Sequence, residues 1–196
     1  LLICSIGNPI SNPAYVNTLH SAGHTALVSL HQLLRGAGYD FTSFKGSAAS
    51  RENASQRTGF AEEDWTFWMS SSLMNVSGKG VAEAYRKWKW DIAAEPDREA
   101  AARATLVVLH DEMEKPKGKI AVRKGSSSLK GHNGLKSIQQ ALGGQSFVRI
   151  GIGIDRPDSR DPEVVSRYVL RKMTRGEVSA VESTAPDILA ALREIA

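Results

Sequence analysis

The chain has 196 residues, of which 41% are hydrophobic and 23% are charged, and these proportions exclude a disordered protein and predict one globular domain. No apolar run approaches the roughly 18 residues of a membrane span, and Cys4, the single cysteine, excludes an intramolecular disulfide and a thiolate zinc cluster. The net charge of +4 is uneven, since residues 115–175 carry 14 Lys and Arg against 4 Asp and Glu, whereas the rest of the chain is acidic. This basic half predicts a polyanionic partner such as nucleic acid, although a solvated basic surface has the same composition.

The first part of the chain alternates between strand and helix signals. An apolar run over Leu1–Ile6 predicts a buried strand, and apolar residues at helical spacing over 22–34 predict a helix. Residues 39–44 and 65–69 predict two further strands. Residues 46–63 are polar and rich in Gly and Ser, which predicts a flexible loop.

The central part continues the alternation. A helix is predicted over 77–94, and Thr105–Leu109 is the clearest buried strand, followed by polar residues. Residues 119–122 and 147–154 predict two more strands. Between them, Asn133 is a candidate N-cap for a helix that ends near residue 142.

Three helix starts end the chain. Asp161 before a proline opens the first, Thr174 and Glu177 have the spacing of a capping box for the second, and Thr184 precedes the third. Strands that alternate with helices predict an α/β fold with a parallel or mixed sheet. The sequence contains no repeat and no linker that divides it, so we expect one domain over residues 1–196.

Polar residues that follow buried strands are candidates for chemistry, because α/β sheets place their sites there. Asn8 follows the first strand, and His110 and Asp111 follow the central one. His20 lies before a helix and is a candidate base that Asp111 could orient. His20 and His24 are four residues apart, but the glutamate of a metalloprotease helix is missing, which disfavours a metal site.

Weaker signals accompany this pair. Asn8, Asn75 and Asn133 each lie near glycine, where an asparagine alone is usually a turn or cap residue. Residues 124–130 form a Ser/Gly loop between lysines, which suits either phosphate binding or a plain turn. No serine has the surroundings of a nucleophile elbow, so we expect an activated water as the nucleophile.

Several short motifs follow one another in the order and spacing of a known family. They are Ile6-Gly7-Asn8-Pro9, Thr18-Leu19-His20-Ser21-Ala22-Gly23, Met74-Asn75-Val76-Ser77-Gly78, His110-Asp111-Glu112, Gly131-His132-Asn133-Gly134-Leu135-Lys136, Phe147-Val148-Arg149-Ile150-Gly151-Ile152-Gly153, Arg156-Pro157 and Tyr168-Val169-Leu170. Each motif alone occurs by chance, but together they run nearly from end to end. In this combination the sequence resembles the bacterial-type peptidyl-tRNA hydrolases, which also occur in eukaryotic organelles.

The resemblance implies a monomeric α/β domain with a mixed, mostly parallel sheet flanked by helices, working without metal or cofactor. The implied reaction is hydrolysis of the ester that joins a peptide to the 3′ ribose of tRNA, which makes peptidyl-tRNA the partner. The catalytic histidine then falls on His20 and its carboxylate partner on Asp111. Substrate contacts fall on a set of six residues, Asn8, Tyr15, Met74, Asn75, His132 and Asn133.

The basic residues Lys130, Lys136 and Arg149 are the candidates for tRNA contacts, which would bind the phosphate backbone without reading sequence. A mitochondrial or a cytoplasmic location fits the resemblance, and no membrane association is implied. The chain begins at Leu1 in an apolar run, so we expect that residues, and with them any targeting segment, once preceded it.

The sequence departs from the family pattern in several places, among them residues 46–63, which match poorly. Ser21 stands where the family often has Asn, which predicts an altered contact with substrate or water. Residues 126–128 are serines rather than glycines, which predicts a stiffer loop or altered phosphate contacts. Trp88 and Trp90 cannot both face one core from a helix, so one of them is expected to be exposed.

Two alternatives remain open from the sequence. One is a non-catalytic RNA-binding protein of the same fold, comparable to an organellar splicing factor, which would need the basic surface but not His20 and Asp111. The other is a metal-dependent hydrolase with an incidental basic surface. Retention of His20, Asp111 and the three asparagines favours the hydrolase.

Overall fold

The computed structural model describes residues 1–38, 41–43, 56–58, 65–93, 104–124, 127–129 and 131–196. The strands in this part of the chain are β1 (Leu2–Ser5), β2 (Phe41–Ser43), β3 (Gln56–Thr58), β4 (Thr66–Met69), β5 (Leu106–Glu112), β6 (Ile120–Lys124) and β7 (Val148–Gly153). The α-helices there are α1 (Ala22–Gly36), α2 (Ser77–Ala93), α3 (Asn133–Ala141), α4 (Pro162–Leu170), α5 (Arg175–Glu182) and α6 (Ala185–Ile195). Two 3-10 turns, Leu19–Ser21 and Met74–Val76, precede α1 and α2.

The described strands form one mixed sheet in the order β2-β3-β4-β1-β5-β7-β6. The central strands β4, β1, β5 and β7 are parallel, whereas β2, β3 and β6 are antiparallel to their neighbours. Strands β1, β5 and β7 are buried along their whole length. A parallel sheet covered on both faces requires this pattern, which explains why these strands read as continuous apolar runs.

Helices cover both faces of the sheet and create two hydrophobic cores. Side chains of Ile3 and Val107 point to the face covered by α1, α5 and α6. Cys4 and Val108, one position along each strand, point to the other face, which α2 and α3 cover. Because successive residues of a strand alternate between faces, each strand contributes to both cores. The α/β fold with a mixed sheet flanked by helices is therefore confirmed.

Most predicted elements agree with the structure to within a few residues, but three expectations were wrong. Strand β5 does not end at Leu109; it runs to Glu112 because its pairing with β7 continues through Asp111 and Ile152. Asn133 is not the N-cap of α3, since the cap is His132. Part of the predicted loop over 46–63 is strand β3, while residues 46–55 and 59–63 lie outside the described residues.

Two expectations about helices are confirmed. The side chains of Thr174 and Glu177 form the predicted capping box at the start of α5. Of the two tryptophans in α2, Trp88 is buried and donates from its indole N–H to Thr66 Oγ1, whereas Trp90 is 78% exposed. Among the described residues, no helix is both long and apolar enough to cross a membrane.

Candidate active site

The carboxyl end of β5 presents a buried carboxylate to a histidine. Asp111 is 3% exposed, and each of its two oxygens lies 3.0 Å from Nδ1 of His20. His20 comes from the 3-10 turn before α1, and its side chain is 18% exposed. Sequence reasoning predicted this pair, and the structure brings together two side chains that are 91 positions apart in the sequence.

The position of His20 depends on close packing of its turn against the sheet. A Cβ at Gly23 would lie 2.6 Å from the Leu109 carbonyl oxygen, so only glycine lets α1 approach β5 this closely. Ser21 is fully buried, and its hydroxyl lies within hydrogen-bonding distance of the carbonyl oxygens of Asn8 and Tyr15. Ser21 therefore holds the segment before His20 in place and does not line the cleft, so the altered contact with substrate or water stays a prediction.

His132 is a second histidine on the same carboxylate. Its Nε2 lies 3.1 Å from Asp111 Oδ1, and its Nδ1 accepts the backbone N–H of Leu135 at 3.3 Å. The ring thus caps α3 and contacts Asp111 at the same time. The family resemblance implied His132 only as a substrate contact, and the N-cap was assigned to its neighbour Asn133.

Burial and charge act in opposite directions on this group. Burial alone would raise the pKa of Asp111, but the neighbouring His20 and His132 hold it well below its usual value. Burial works against the charged form of His20, yet the Asp111 carboxylate raises the pKa of His20 above its ordinary value. His110 is buried beside His132, and this burial lowers the pKa of His110 to about 3 and keeps it neutral.

The three predicted asparagines lie around this centre. Asn8 is buried, and its Oδ1 accepts the backbone N–H of Met74 at 3.1 Å. Asn75 is exposed in the 3-10 turn before α2, and Asn133 is exposed as the first residue of α3. The Asn8 carboxamide therefore has its oxygen occupied, which leaves its amide group as a donor.

These residues line one cleft of about 640 Å³. The predicted catalytic and substrate residues all contribute to it, namely Asn8, Tyr15, His20, Met74, Asn75, Asp111, His132 and Asn133. The cleft also contains residues that we did not predict as site residues. Arg160 lines it as an exposed cation, and Leu73 and Leu170 are half-exposed apolar residues there. The basic composition of residues 115–175 was the available signal for Arg160.

The three predicted tRNA-binding residues have different surroundings. Lys136 is exposed on α3, and Lys130 lies outside the described residues. Arg149 is 4% exposed, and its Nη2 donates to the backbone carbonyls of Ser127 and Ser128. Arg149 lines the cleft but is not the surface cation that a phosphate contact suggests, because its strand is buried on both faces. Its role in tRNA binding stays a prediction.

A divalent metal fits this group poorly. His20, Asp111 and His132 offer ligand atoms that lie within 4.8 Å of one another. However, the Leu135 N–H occupies the lone pair of His132 Nδ1, so the proton of a neutral ring is on Nε2, the atom that a metal would need. His24, the other histidine considered for a metal, is buried with its Nδ1 2.8 Å from Ser5 Oγ, and burial lowers its pKa to about 4.

Comparison with known proteins identifies the family. The family model for peptidyl-tRNA hydrolase matches residues 2–196. A probable peptidyl-tRNA hydrolase of Schizosaccharomyces pombe is 34% identical over 182 residues, covering 93% of this chain and 76% of the relative. A peptidyl-tRNA hydrolase of Solidesulfovibrio magneticus is 32% identical over 189 residues, covering 94% of this chain and 82% of the relative.

The fold is similar as well. The crystal structure of peptidyl-tRNA hydrolase from Acinetobacter baumannii superposes with a TM-score of 0.71 at 26% identity, covering 99% of this chain and 87% of that one. The family model also covers the segments that carry His20, Asp111 and the three asparagines. On the strength of a family model and of relatives that span almost its whole length, the chain belongs to the peptidyl-tRNA hydrolase family.

Proposed function

We propose that this chain hydrolyses the ester bond between the peptide and the 3′ ribose of peptidyl-tRNA, with a water molecule that His20 activates. The observation that carries the proposal is the hydrogen-bonded pair of His20 and Asp111 at the wall of an open cleft. Membership in the family supports the same substrate. A non-catalytic RNA-binding protein would not require a buried carboxylate aimed at a cleft histidine.

His20 is the general base in this mechanism. Its Nδ1–H donates to Asp111, which leaves the lone pair of Nε2 to take a proton from water. The resulting hydroxide attacks the ester carbonyl, and Asp111 stabilises the imidazolium that forms. When the tetrahedral intermediate collapses, the C–O bond to the ribose breaks and the proton on His20 passes to the departing ribose oxygen. The products are a peptide acid and free tRNA.

The asparagines bind the parts that all substrates share. The amide group of Asn8 is the donor left after its oxygen accepts the Met74 N–H, and it suits the ester carbonyl or the peptide backbone. Asn133 is at the N-terminus of α3, where the helix dipole favours the negative charge of the intermediate. Together with Asn75 they hold a backbone and a ribose without requiring a particular amino-acid side chain.

The basic part of the chain supplies affinity for the tRNA backbone. Lys136 is exposed beside the cleft residues of α3, and Lys130 precedes them in the sequence. Arg149 contributes to this affinity indirectly, because it donates hydrogen bonds to the carbonyls of Ser127 and Ser128 and so holds their loop in place. We further propose that the protein acts as a monomer, in the mitochondrion or the cytoplasm.

The test is release of free tRNA from N-acyl-aminoacyl-tRNA, with and without a chelator, by the native protein and by His20→Ala. We expect chelator-resistant release that His20→Ala loses while it keeps its affinity for tRNA. His31→Ala is the matched control, because His31 lies on α1 outside the cleft lining. No release with retained tRNA binding would favour the non-catalytic alternative, and loss of release with the chelator would favour a metal enzyme.

A further inference from the structure

We propose that His132 is a positioning residue that shares the Asp111 carboxylate with His20 and thereby sets the proton affinity of the catalytic base. The inference rests on the proposed function, in which His20 is that base. It differs from the substrate contact that the family resemblance implies for His132, because the ring acts through Asp111. Three contacts carry the argument.

The first two contacts fix where the proton of the His132 ring lies. The backbone N–H of Leu135 points at Nδ1, so Nδ1 must offer a lone pair. The proton of the neutral ring is therefore on Nε2, from which it is donated to Asp111 Oδ1 at 3.1 Å. Adding a proton to Nδ1 would set two N–H groups against each other and remove the cap of α3.

The third contact connects His132 to catalysis. Asp111 Oδ1 accepts from His132 and also lies 3.0 Å from Nδ1 of His20. A carboxylate that already accepts one hydrogen bond attracts the second donor less strongly, because part of its charge is satisfied. Loss of the His132 donor would therefore strengthen the hold of Asp111 on the protonated form of His20.

Five other charged residues line the cleft, namely Glu112, Glu114, Arg149, Arg156 and Arg160, and of these Arg156 pairs with Glu114. The ring of His110 packs edge-on against His132 at 5.0 Å between centroids and is neutral. Arg149 on β7 acts on His110, and it has Glu112 and Arg123 as its charged neighbours. The groups of α3 and of the turn before α2 that line the cleft, among them Met74 and Asn133, are uncharged. The two histidines are the neighbours that chiefly lower the pKa of Asp111.

Two substitutions separate the two functions of the ring. In His132→Asn the side-chain oxygen takes the position of Nδ1 and still caps α3, but the side chain is too short to donate to Asp111. In His132→Gln the amide reaches the position of Nε2 and can donate to Asp111, but the cap is lost. The first variant tests positioning with the helix preserved, and the second tests the cap with the donor preserved.

The measurement is the NMR titration of the His20 ring in the free protein, with the signal assigned by its loss in His20→Ala. His132→Asn should raise the proton affinity of His20 about threefold, or about half a pH unit, as expected for one lost hydrogen bond. The acid limb of kcat/KM should move to higher pH by the same amount. His132→Gln should leave the His20 titration near that of the native protein and lower Tm instead.

Three outcomes would overturn the proposal. These are an unmoved His20 titration in His132→Asn, an equal shift in both variants, or a change in KM alone. Because the NMR titration does not depend on turnover, it separates this inference from the proposed function. If the native protein released no tRNA, the hydrolase would fail while the shift in His20 would still decide whether His132 tunes it.

Discussion

Both carboxylate oxygens of Asp111 lie 3.0 Å from Nδ1 of His20, so the ring is held through one nitrogen and only the other is left for the substrate. Asp111→Asn keeps the size of the side chain but removes its charge, and it no longer specifies the ring tautomer. We expect kcat to fall by about 10²–10⁴-fold. We also expect the acid limb of the pH profile to move to lower pH, since the carboxylate is what raises the pKa of His20. An acid limb that stayed in place would show that Asp111 does not act on His20.

The native protein should show a matching pH dependence. A general base must be unprotonated to act, so activity is lost as pH falls through the pKa of His20. Because Asp111 raises that pKa, the midpoint of the acid limb of kcat/KM should lie above the ordinary histidine value of about 6.5. Asp111 itself stays ionised over this range, since its pKa is held well below the usual value. A rate that is flat from about pH 5 to pH 8 would contradict His20 as the base.

We expect catalysis to need Asn8 as a hydrogen-bond donor, so a side chain of the same shape without the amide group should not replace it. Asn8→Asp keeps an oxygen for the Met74 N–H but replaces the amide group with a second acceptor. We expect kcat/KM to fall by about 10²–10³-fold, as for the loss of one donor to a developing oxyanion. Asn12→Asp is the matched control, because exposed Asn12 also accepts a backbone N–H, from Ala14, outside the cleft lining. Equal activity of the two variants would exclude a donor role for Asn8.

The contact between His20 and Asp111 could be predicted from the sequence because each residue stands beside a clear element signal. His20 precedes a periodic helix, and Asp111 follows the apolar core of a strand. The end of β5 was misplaced because polar residues interrupt the apolar run, although backbone pairing with β7 continues through them. Burial of polar side chains depends on neighbours from distant segments, which a linear pattern does not show.

The surroundings of His132 and Arg149 also depend on segments that are distant in the sequence, so a linear pattern did not predict them. Asn is a stronger N-cap type than His, so the cap of α3 was assigned to Asn133, one residue too late. The His132 ring is held in its capping position by a hydrogen bond with Asp111, which lies on β5. Arg149 was a candidate for a tRNA contact, and the structure places it on a strand that is buried on both faces, where it donates hydrogen bonds to loop carbonyls.

Lys136 offers a direct test of the tRNA surface. If it neutralises one phosphate, Lys136→Ala should weaken tRNA binding at low salt and reduce the slope of log K against log salt by about one. Lys87→Ala is the control, since Lys87 is exposed on α2 and pairs with Asp91 four residues on. An unchanged slope in Lys136→Ala would remove it from the contact surface.

Glu177 should stabilise the fold in a pH-dependent way. It is largely buried, and it accepts two hydrogen bonds from Arg171, one from the Thr174 backbone and an ion pair from Lys117. Arg171, despite the opposing effect of burial, lowers the pKa of Glu177 far below its ordinary value, and Lys117 adds to this. A depressed folded pKa stabilises the protein above the unfolded pKa of about 4.3, and this contribution is lost as pH falls toward the folded value.

Glu177→Gln should therefore lower the free energy of unfolding at pH 7 by about 1–2 kcal/mol, a value reduced for the partial exposure of both cations. The difference from the native protein should shrink as pH falls below about 4. Urea unfolding at pH 7 and near pH 3 measures both quantities. Glu163→Gln serves as the control, since Glu163 is 86% exposed opposite Arg167, and its loss should change stability little at either pH. A Glu177→Gln deficit that is the same at both pH values would mean that its carboxylate charge does not stabilise the fold.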